Sequence, residues 1–342
     1  MDIRGNNMKI TIYDVAEKAG VSIATVSKVI NDTGRISEKT RKKIVKIMED
    51  LEYQPSAVAS ALSGKSTFTI GLTLPDLANP YFAEIARAIE DRGREYGFNV
   101  LMCSTDNDAR KEEEYYRLFM KKRVDGIIMV SREEQDTMVK KILNEKVPLV
   151  MISREIFSVP VTSVMVDDYY GGFQAGSHLV KQDHQKIAVI TENLKELGSK
   201  ERLRGCTDAM KEAKLEMLPE YIVEGGYTVE GGKKATKGLL QQQYPPTAIF
   251  ACNDILAIGA IQAVRELGLQ VPKDISVIGY DNTILATIVD PPLTTIAQPI
   301  QDIGERSVAI LVQQIQSKEN VRQRVVLMPD LIVRSSTSKL NE

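Results

Sequence analysis

A chain of 342 residues, at ~100 to 200 per domain, holds two or three folding units, and its 43% hydrophobic and 26% charged residues exclude disorder of the whole. There is no apolar run of ~18 residues, and Met1 to Thr11 lack an apolar signal core, so a cytoplasmic chain with no membrane partner is expected. Cys103, Cys206 and Cys252 are scattered, without CxxC and with only His178 and His184 to help, which removes disulfide and zinc scaffolds: no metal and no cofactor are expected, and the thiols read as buried.

The net charge of -2 divides unevenly. Residues 1 to 65 carry 11 Lys/Arg against 8 Asp/Glu, net +3, leaving 33 against 38, net -5, for the remainder. A basic head on an acidic body fits contact with phosphates, although a solvated charge face gives the same numbers.

In the head, Thr11 with Asp14 three residues on is a variant capping box for a helix from Ile12 that turns Val15, Ala16 and Ala19 inward, and Gly20 stops it. Ser22 caps a second helix, Ile23 to Ile30, with Val26, Val29 and Ile30 on its buried face. Ser37 caps a third, with Ile44, Ile47, Met48 and Leu51 on one stripe and Lys39, Arg41, Lys42, Lys43 and Lys46 mostly elsewhere. Such a unit can lay its second helix in a major groove, with Ile23, Ala24, Thr25, Ser27 and Lys28 as readers. Any three-helix bundle has an amphipathic middle helix, so the pattern alone leaves a purely structural bundle open.

From Thr69 onward, short β-type runs (Thr69 to Leu74, Asn99 to Cys103, Gly126 to Val130, Leu149 to Ile152) alternate with helical stretches. A second series follows Val166, with Ile187 to Thr191, Tyr221 to Val223, Ala248 to Cys252 and Ser276 to Gly279. Alternation of this kind predicts an α/β chain with two Rossmann-like parallel sheets, whose ligands bind beyond the carboxyl ends of the strands. Those places hold Asp76, Tyr81 and Phe82, Ser153 and Arg154, Arg202 beginning a helix, Asn253 and Asp254, and Tyr280 and Asp281. Polar groups joined by aromatics suit a hydroxyl- or carboxylate-bearing small molecule, while each residue also has a structural reading: Asp254 as a cap, Arg202 in a surface pair, Tyr81 and Phe82 in a core. The chain crosses between halves near Val166, Ala297 and Met328, with Ile300 to Ile315 returning to the first half and Val325 to Val333 adding a strand to each; Ser335 to Glu342 read as frayed.

No catalytic constellation emerges, so no enzyme is expected. Gly226 to Lys233 misses the phosphate-loop spacing, Gly171, Gly172 and Gly176 do not make GxGxxG, and GxSxG and HExxH are absent. His184 beside Asp183 reads as a surface-turn histidine.

Literal strings go further. Ile12-Tyr-Asp-Val-Ala-Glu-Lys-Ala-Gly-Val-Ser22, Ala24-Thr-Val-Ser-Lys-Val-Ile-Asn31 and Thr40-Arg41 resemble the head of the LacI/GalR family of bacterial transcriptional regulators, and Val58-Ala-Ser-Ala-Leu62-Ser-Gly64 resembles its hinge helix. Asn79-Pro-Tyr-Phe-Ala-Glu-Ile85, Val124-Asp-Gly126, Arg202-Leu-Arg-Gly205, Ala251-Cys-Asn-Asp254, Asp274 to Asp281 and Pro291 to Gln298 resemble its periplasmic-binding-protein type sensor core.

The resemblance implies a helix-turn-helix head over 8–54, a hinge helix over 55–64, one core subdomain from 65–166 plus 298–328 and another from 167–297 plus 329–342. It implies operator contacts from Thr11, Tyr13, Ser22, Ile23, Ala24, Thr25, Ser27, Lys28, Asn31, Ser37, Thr40 and Leu62, the last wedging into a minor-groove step. Effector contacts fall on Asp76, Tyr81, Phe82, Ser153, Arg202, Tyr227, Asn253 and Asp281. The implied partners are double-stranded operator DNA of pseudo-palindromic sequence, a second copy of the chain and a small-molecule effector (a sugar, sugar phosphate or other metabolite); the implied activity is repression, in the bacterial cytoplasm at the nucleoid. Ser153 stands where sugar-binding members often carry Asp, and Lys28 where most carry Arg, which replaces a bidentate fork by a point charge. A catabolite-control branch of the family responds to a phosphorylated phosphocarrier protein docking on the body, and that reading stays open, as does, more remotely, a ligand-binding protein that does not touch DNA.

Overall fold

The computed structural model describes residues 10–30, 34–53, 66–130, 136–153, 159–317 and 322–340. The expected hinge helix with Leu62, and also Asn31, Arg154 and residues 341–342, lie outside them. Two compact units result, one up to Thr67 and one from Phe68 on.

The head is α1 (Ile12–Ala19), α2 (Ile23–Ile30) and α3 (Glu38–Asp50). The Asp14 carboxylate accepts both the Thr11 backbone N–H and its hydroxyl at 2.7 Å, fixing the start of α1. Gly20 ends it at φ 65°, a left-handed cap that only glycine adopts without strain. Ser22 Oγ accepts the Thr25 N–H at 3.2 Å and Ser37 Oγ the Thr40 N–H at 3.2 Å, so each later helix begins on a serine cap. Val15, Ala16, Ala19, Val26, Val29 and Ile44 form the core.

The body has two six-stranded sheets. The first contains β1 (Thr69–Leu74), β2 (Asn99–Ser104), β3 (Gly126–Val130), β4 (Leu149–Ile152), β5 (Thr162–Val166) and β11 (Arg324–Leu327), in the order β11-β5-β4-β3-β1-β2, all parallel. The second contains β6 (Ile187–Thr191), β7 (Ile222–Glu224), β8 (Ala248–Ala251), β9 (Ser276–Asp281), β10 (Thr294–Ala297) and β12 (Asp330–Ile332), in the order β12-β10-β9-β8-β6-β7, with only β12 antiparallel. Strands such as Gly126–Val130 and Ile187–Thr191 are buried along their length, because helices cover both faces of a parallel sheet. Those helices are α4 (Pro80–Glu95), α5 (Ala109–Lys122), α6 (Asp136–Asn144) and α12 (Ile300–Ser317) around the first sheet, and α7 (Asp168–Lys181), α8 (Leu197–Glu212), α9 (Val229–Leu240), α10 (Asp254–Glu266) and the short α11 (Ile284–Ile288) around the second. The three cysteines are buried thiols.

Two expectations are overturned. The terminal segment is not frayed through 340: Ser336 is fully buried, its Oγ donates to the Val277 carbonyl at 2.6 Å and accepts the Thr294 N–H at 2.8 Å, and the Val277 N–H bonds its carbonyl at 2.8 Å. His184 is no surface turn residue but 2% exposed. Its Nε2 donates to the Ser338 carbonyl at 3.1 Å, which leaves Nδ1 to accept from the Thr247 hydroxyl at 3.0 Å. The tail thus closes over a neutral imidazole.

Ser336→Ala leaves two buried backbone groups without this partner and should lose about 1–3 kcal/mol in urea unfolding of the full chain. His178 and His184 are both held below the ordinary imidazole value, by burial first. The unfolded chain therefore binds protons more readily, so this contribution to stability is complete above the ordinary imidazole value and is lost as pH falls through the lowered folded values. Stability of the wild type should consequently fall more steeply on acidification than that of His184→Gln, whatever their difference at neutral pH.

Candidate functional site

On the head, the side of α2 away from the core is the one that can meet a ligand. Ile23 (39% exposed), Ala24 and Lys28 face solvent, and Ser27 and Thr25 are half-buried, the Thr25 hydroxyl lying 2.9 Å from Ser22 Oγ. Tyr13 is 67% exposed on α1, Thr11, Ser22 and Ser37 are exposed at helix starts, and Thr40 is half-buried. Positions 23, 24, 27 and 28 share one face by helical spacing, and the unpaired N–H groups of a helix start add partial positive charge.

In the body, the carboxyl ends of the strands in the second sheet converge on one guanidinium. Arg202 lies in the second turn of α8 rather than beginning it. Its Nε donates to Asp168 Oδ1 at 2.7 Å, one Nη donates to Glu192 Oε1 at 3.1 Å and to the Cys252 carbonyl at 2.6 Å, and its plane lies 3.8 Å from the centroid of the Tyr280 ring. The side chain is only 12% exposed. Glu192 also accepts from Ser199 Oγ at 2.7 Å and Asn253 Nδ2 at 3.3 Å, while Asn253 Oδ1 caps α10 through the Leu256 N–H at 2.7 Å.

Glycines make this approach geometrically feasible. A Cβ on Gly172 would sit 2.0 Å from the Arg202 carbonyl oxygen, one on Gly205 2.0 Å from that of Tyr169, and one on Gly171 2.6 Å from the Tyr280 hydroxyl. Gly172 and Gly176 of α7 and Gly205 of α8 therefore form a helix-packing surface that lets the two helices touch backbone to backbone, while Gly171 makes room for the Tyr280 ring.

A second chain of bonds crosses from lobe to lobe. Tyr81, buried at the start of α4, donates its hydroxyl to Gln298 Oε1 at 3.0 Å, and Gln298 Nε2 donates to Asp281 Oδ1 at 2.7 Å. Asp281 ends β9 at φ 112°, a strained backbone for a non-glycine residue. Burial holds its carboxyl well above the usual range, with Arg202 opposing. Burial likewise raises the Tyr81 phenol, the Asp281 charge adding to it. Asp254 is not the cap of α10: its carboxylate spans to Thr283 (N–H 2.8 Å, hydroxyl 3.1 Å) and the Thr295 hydroxyl (2.7 Å), and burial pushes it up to about 6 against those bonds.

Of the eight expected effector residues, the structure brings Arg202, Asn253, Asp281 and Tyr81 into these linked networks, with the Ser153 side chain near the Tyr81 hydroxyl and its backbone at φ 68°. Phe82 is 1% exposed in the core of the first lobe, edge-on to Tyr81 with centroids 5.1 Å apart. Asp76 is exposed and accepts the Ala78 N–H of its own turn at 2.8 Å, and the Tyr227 hydroxyl donates to Glu196. Residue-by-residue reading missed Glu192 and Asp168. Glu192 directly follows β6, so the strand-end rule reaches it; Asp168 stands two residues after β5, and the rule reaches it only once that strand is recognised. Among the described residues no cluster of His, Cys, Asp or Glu is arranged to hold a metal ion, and no helix is long and apolar enough to cross a membrane.

Residues 11–56 match the model of bacterial regulatory proteins of the lacI family, and residues 177–337 that of a periplasmic binding protein-like domain. The chain is 45% identical to the HTH-type transcriptional regulator DegA of Bacillus subtilis over 98% of its own length and 100% of the relative's. It is 37% identical to catabolite control protein A of Priestia megaterium, covering 96% and 100%. Among solved structures, the lac repressor dimer bound to operator and the anti-inducer ONPF superposes with a TM-score of 0.87 at 32% identity, covering 96% of this chain and 99% of that one. The chain belongs to the lacI family of bacterial regulatory proteins, as a transcriptional regulator with a helix-turn-helix DNA-binding head and a periplasmic-binding-protein-like body.

Proposed function

We propose that the chain represses transcription as a cytoplasmic homodimer on a pseudo-palindromic operator and is switched by a small molecule bound between its lobes. The observation that carries this reading is the interlobe line Tyr81–Gln298–Asp281 beside the Arg202 cluster: a ligand inserted there exchanges bonds with both lobes at once, so its affinity depends on how far they are closed. Arg202 is already committed to Asp168, Glu192 and a carbonyl, and the polar groups nearby are mainly acceptors. An effector that donates hydrogen bonds through hydroxyl or amino groups fits this lining better than a phosphate does. The head reads DNA through Ile23, Ala24, Thr25, Ser27 and Lys28, with Thr11, Tyr13, Ser22, Ser37 and Thr40 on phosphates, and Asn31 and Leu62 completing the set. The likeness to catabolite control protein A supports a second reading, in which a phosphorylated carrier protein docks on the body and takes the effector's place.

Switching requires only that the ligand prefer one state of the lobes over the other, and a coupling of ~1–3 kcal/mol is typical. Selection of genomic fragments by the purified protein at fixed salt should recover a pseudo-palindrome; enrichment of no sequence both without effectors and with a full metabolite extract added would sink the repressor reading. Leu62→Ala should lose specific operator affinity while keeping effector binding, and equal operator affinity would remove the wedge. Asp281→Ala should abolish the effector response with operator affinity of the competent state retained. A normal response in that variant would favour the docked carrier protein.

A further inference from the structure

We propose that the effector is a cation, a protonated amine on a small hydroxyl-bearing body such as an amino sugar or amino alcohol, with the amine seated beside Asp281. The inference rests on the cleft-ligand reading above and deepens it, because it commits the ligand to a charge.

Charge around this part of the cleft does not balance among the described residues. Arg202 is answered twice, by Asp168 at 2.7 Å and by Glu192 at 3.1 Å, which leaves Asp281 as a third carboxylate on one guanidinium. Behind it lies Asp254, a fourth, bonded to Thr283 and Thr295. The one further cation that acts on Asp254 is Arg334, whose own bonds go to the Leu293 carbonyl at 2.7 Å and Asn282 Oδ1 at 2.6 Å. From the first lobe, Glu84 of α4 accepts the Ile284 N–H at 3.4 Å and adds a fifth carboxylate. Two cations thus stand against five carboxylates. Lys195 and Lys200, beside the start of α8, are exposed, so water and salt screen their charge.

Asp281 also carries an open acceptor. The residue is only 6% exposed, and while its Oδ1 accepts from Gln298 at 2.7 Å, its Oδ2 accepts no hydrogen bond and is not sealed in the core. The Tyr81 phenol on the opposite lobe feels the charges of Asp281, Arg202 and Asp168, so these groups face the cleft. A protonated amine at Oδ2 supplies both the missing bond and the missing charge, whereas a neutral hydroxyl supplies the bond alone. Burial already holds the Asp281 carboxyl well above the usual range despite Arg202, and a cation beside it favours the ionised form. The rest of the lining sets the body of the ligand. Tyr81, Gln298 and Ser153 offer hydroxyl and amide groups, which pair with hydroxyls. A ligand carboxylate would find only a guanidinium that already holds two, so a zwitterion fits less well than a cation.

The test fractionates a metabolite extract of the bacterium that carries the gene on a strong cation exchanger at pH 7. Each fraction, freed of salt, is added to the full chain on a genomic fragment enriched in the selection above. The retained fraction should change operator affinity and the unretained one should not. Activity confined to the unretained fraction overturns the proposal and leaves the cleft reading standing, with Asp281 meeting a neutral ligand. An unfractionated extract without effect would sink the cleft reading itself, and the proposal with it. Asp281→Asn keeps a side-chain oxygen for Gln298 and removes the charge, so the wild-type response should require about 10- to 100-fold more of the retained fraction. An unchanged requirement in that variant overturns the seating of the cation on Asp281.

Discussion

Placing the Arg202 guanidinium almost out of water is the constraint on which the body's architecture turns. A buried cation is tolerable only if carboxylates and carbonyls replace its hydration, and here Asp168 from the start of α7, Glu192 from the end of β6 and the carbonyl of Cys252 from the end of β8 do so at 2.6 to 3.1 Å. Those three groups are brought from separate elements, so the helix and the strand ends must keep fixed relative positions. The close contacts at Gly172 and Gly205 meet that demand by letting α7 and α8 approach to backbone distance. Tyr280 closes the face of the guanidinium and donates its hydroxyl to Asp168 at 3.0 Å, tying β9 into the same cluster.

Asp281 is the residue after Tyr280, which joins the Arg202 cluster to the interlobe line through Gln298 and Tyr81. The two halves of the site differ in kind. The Arg202 cluster is internally satisfied, whereas the interlobe line crosses between the lobes at one hydrogen bond, from Tyr81 to Gln298, which directly follows β10 and is bonded in turn to Asp281 of the neighbouring β9. In the proposed switch, a ligand competes for the second without dismantling the first, and its leverage is the difference in its contacts between closed and open lobes. The strain at Asp281 is consistent with a position held by its surroundings for binding instead of for folding.

Local chemistry was legible in the sequence and long-range chemistry was not. Thr11 with Asp14, Gly20, Ser22 and Ser37 act on neighbours within five residues, so their caps could be read directly. The buried strands announced themselves as apolar runs. β5 and β10 escape recognition as strands, since Thr162 and Ser163 in one and Thr294 and Thr295 in the other dilute the apolar signal, while the hydroxyls of Thr162, Thr294 and Thr295 bond within the core. His184 looked like a turn residue because its partners stand 63, 92 and 154 positions away, and the polar tail around Ser336 has no apolar period at all. Arg202 was found by position, but its partners were not, because nothing local to Asp168 reports a guanidinium 34 residues downstream.

Arg202 is thus the organising charge of the body, not a member of a surface pair. Urea unfolding of Arg202→Met in the full chain tests it most directly. Leaving Asp168 and Glu192 buried without their cation should cost about 3–5 kcal/mol, with part of the loss recovered when Asp168→Asn and Glu192→Gln are added. A single variant as stable as the wild type would show that the guanidinium does not organise the body.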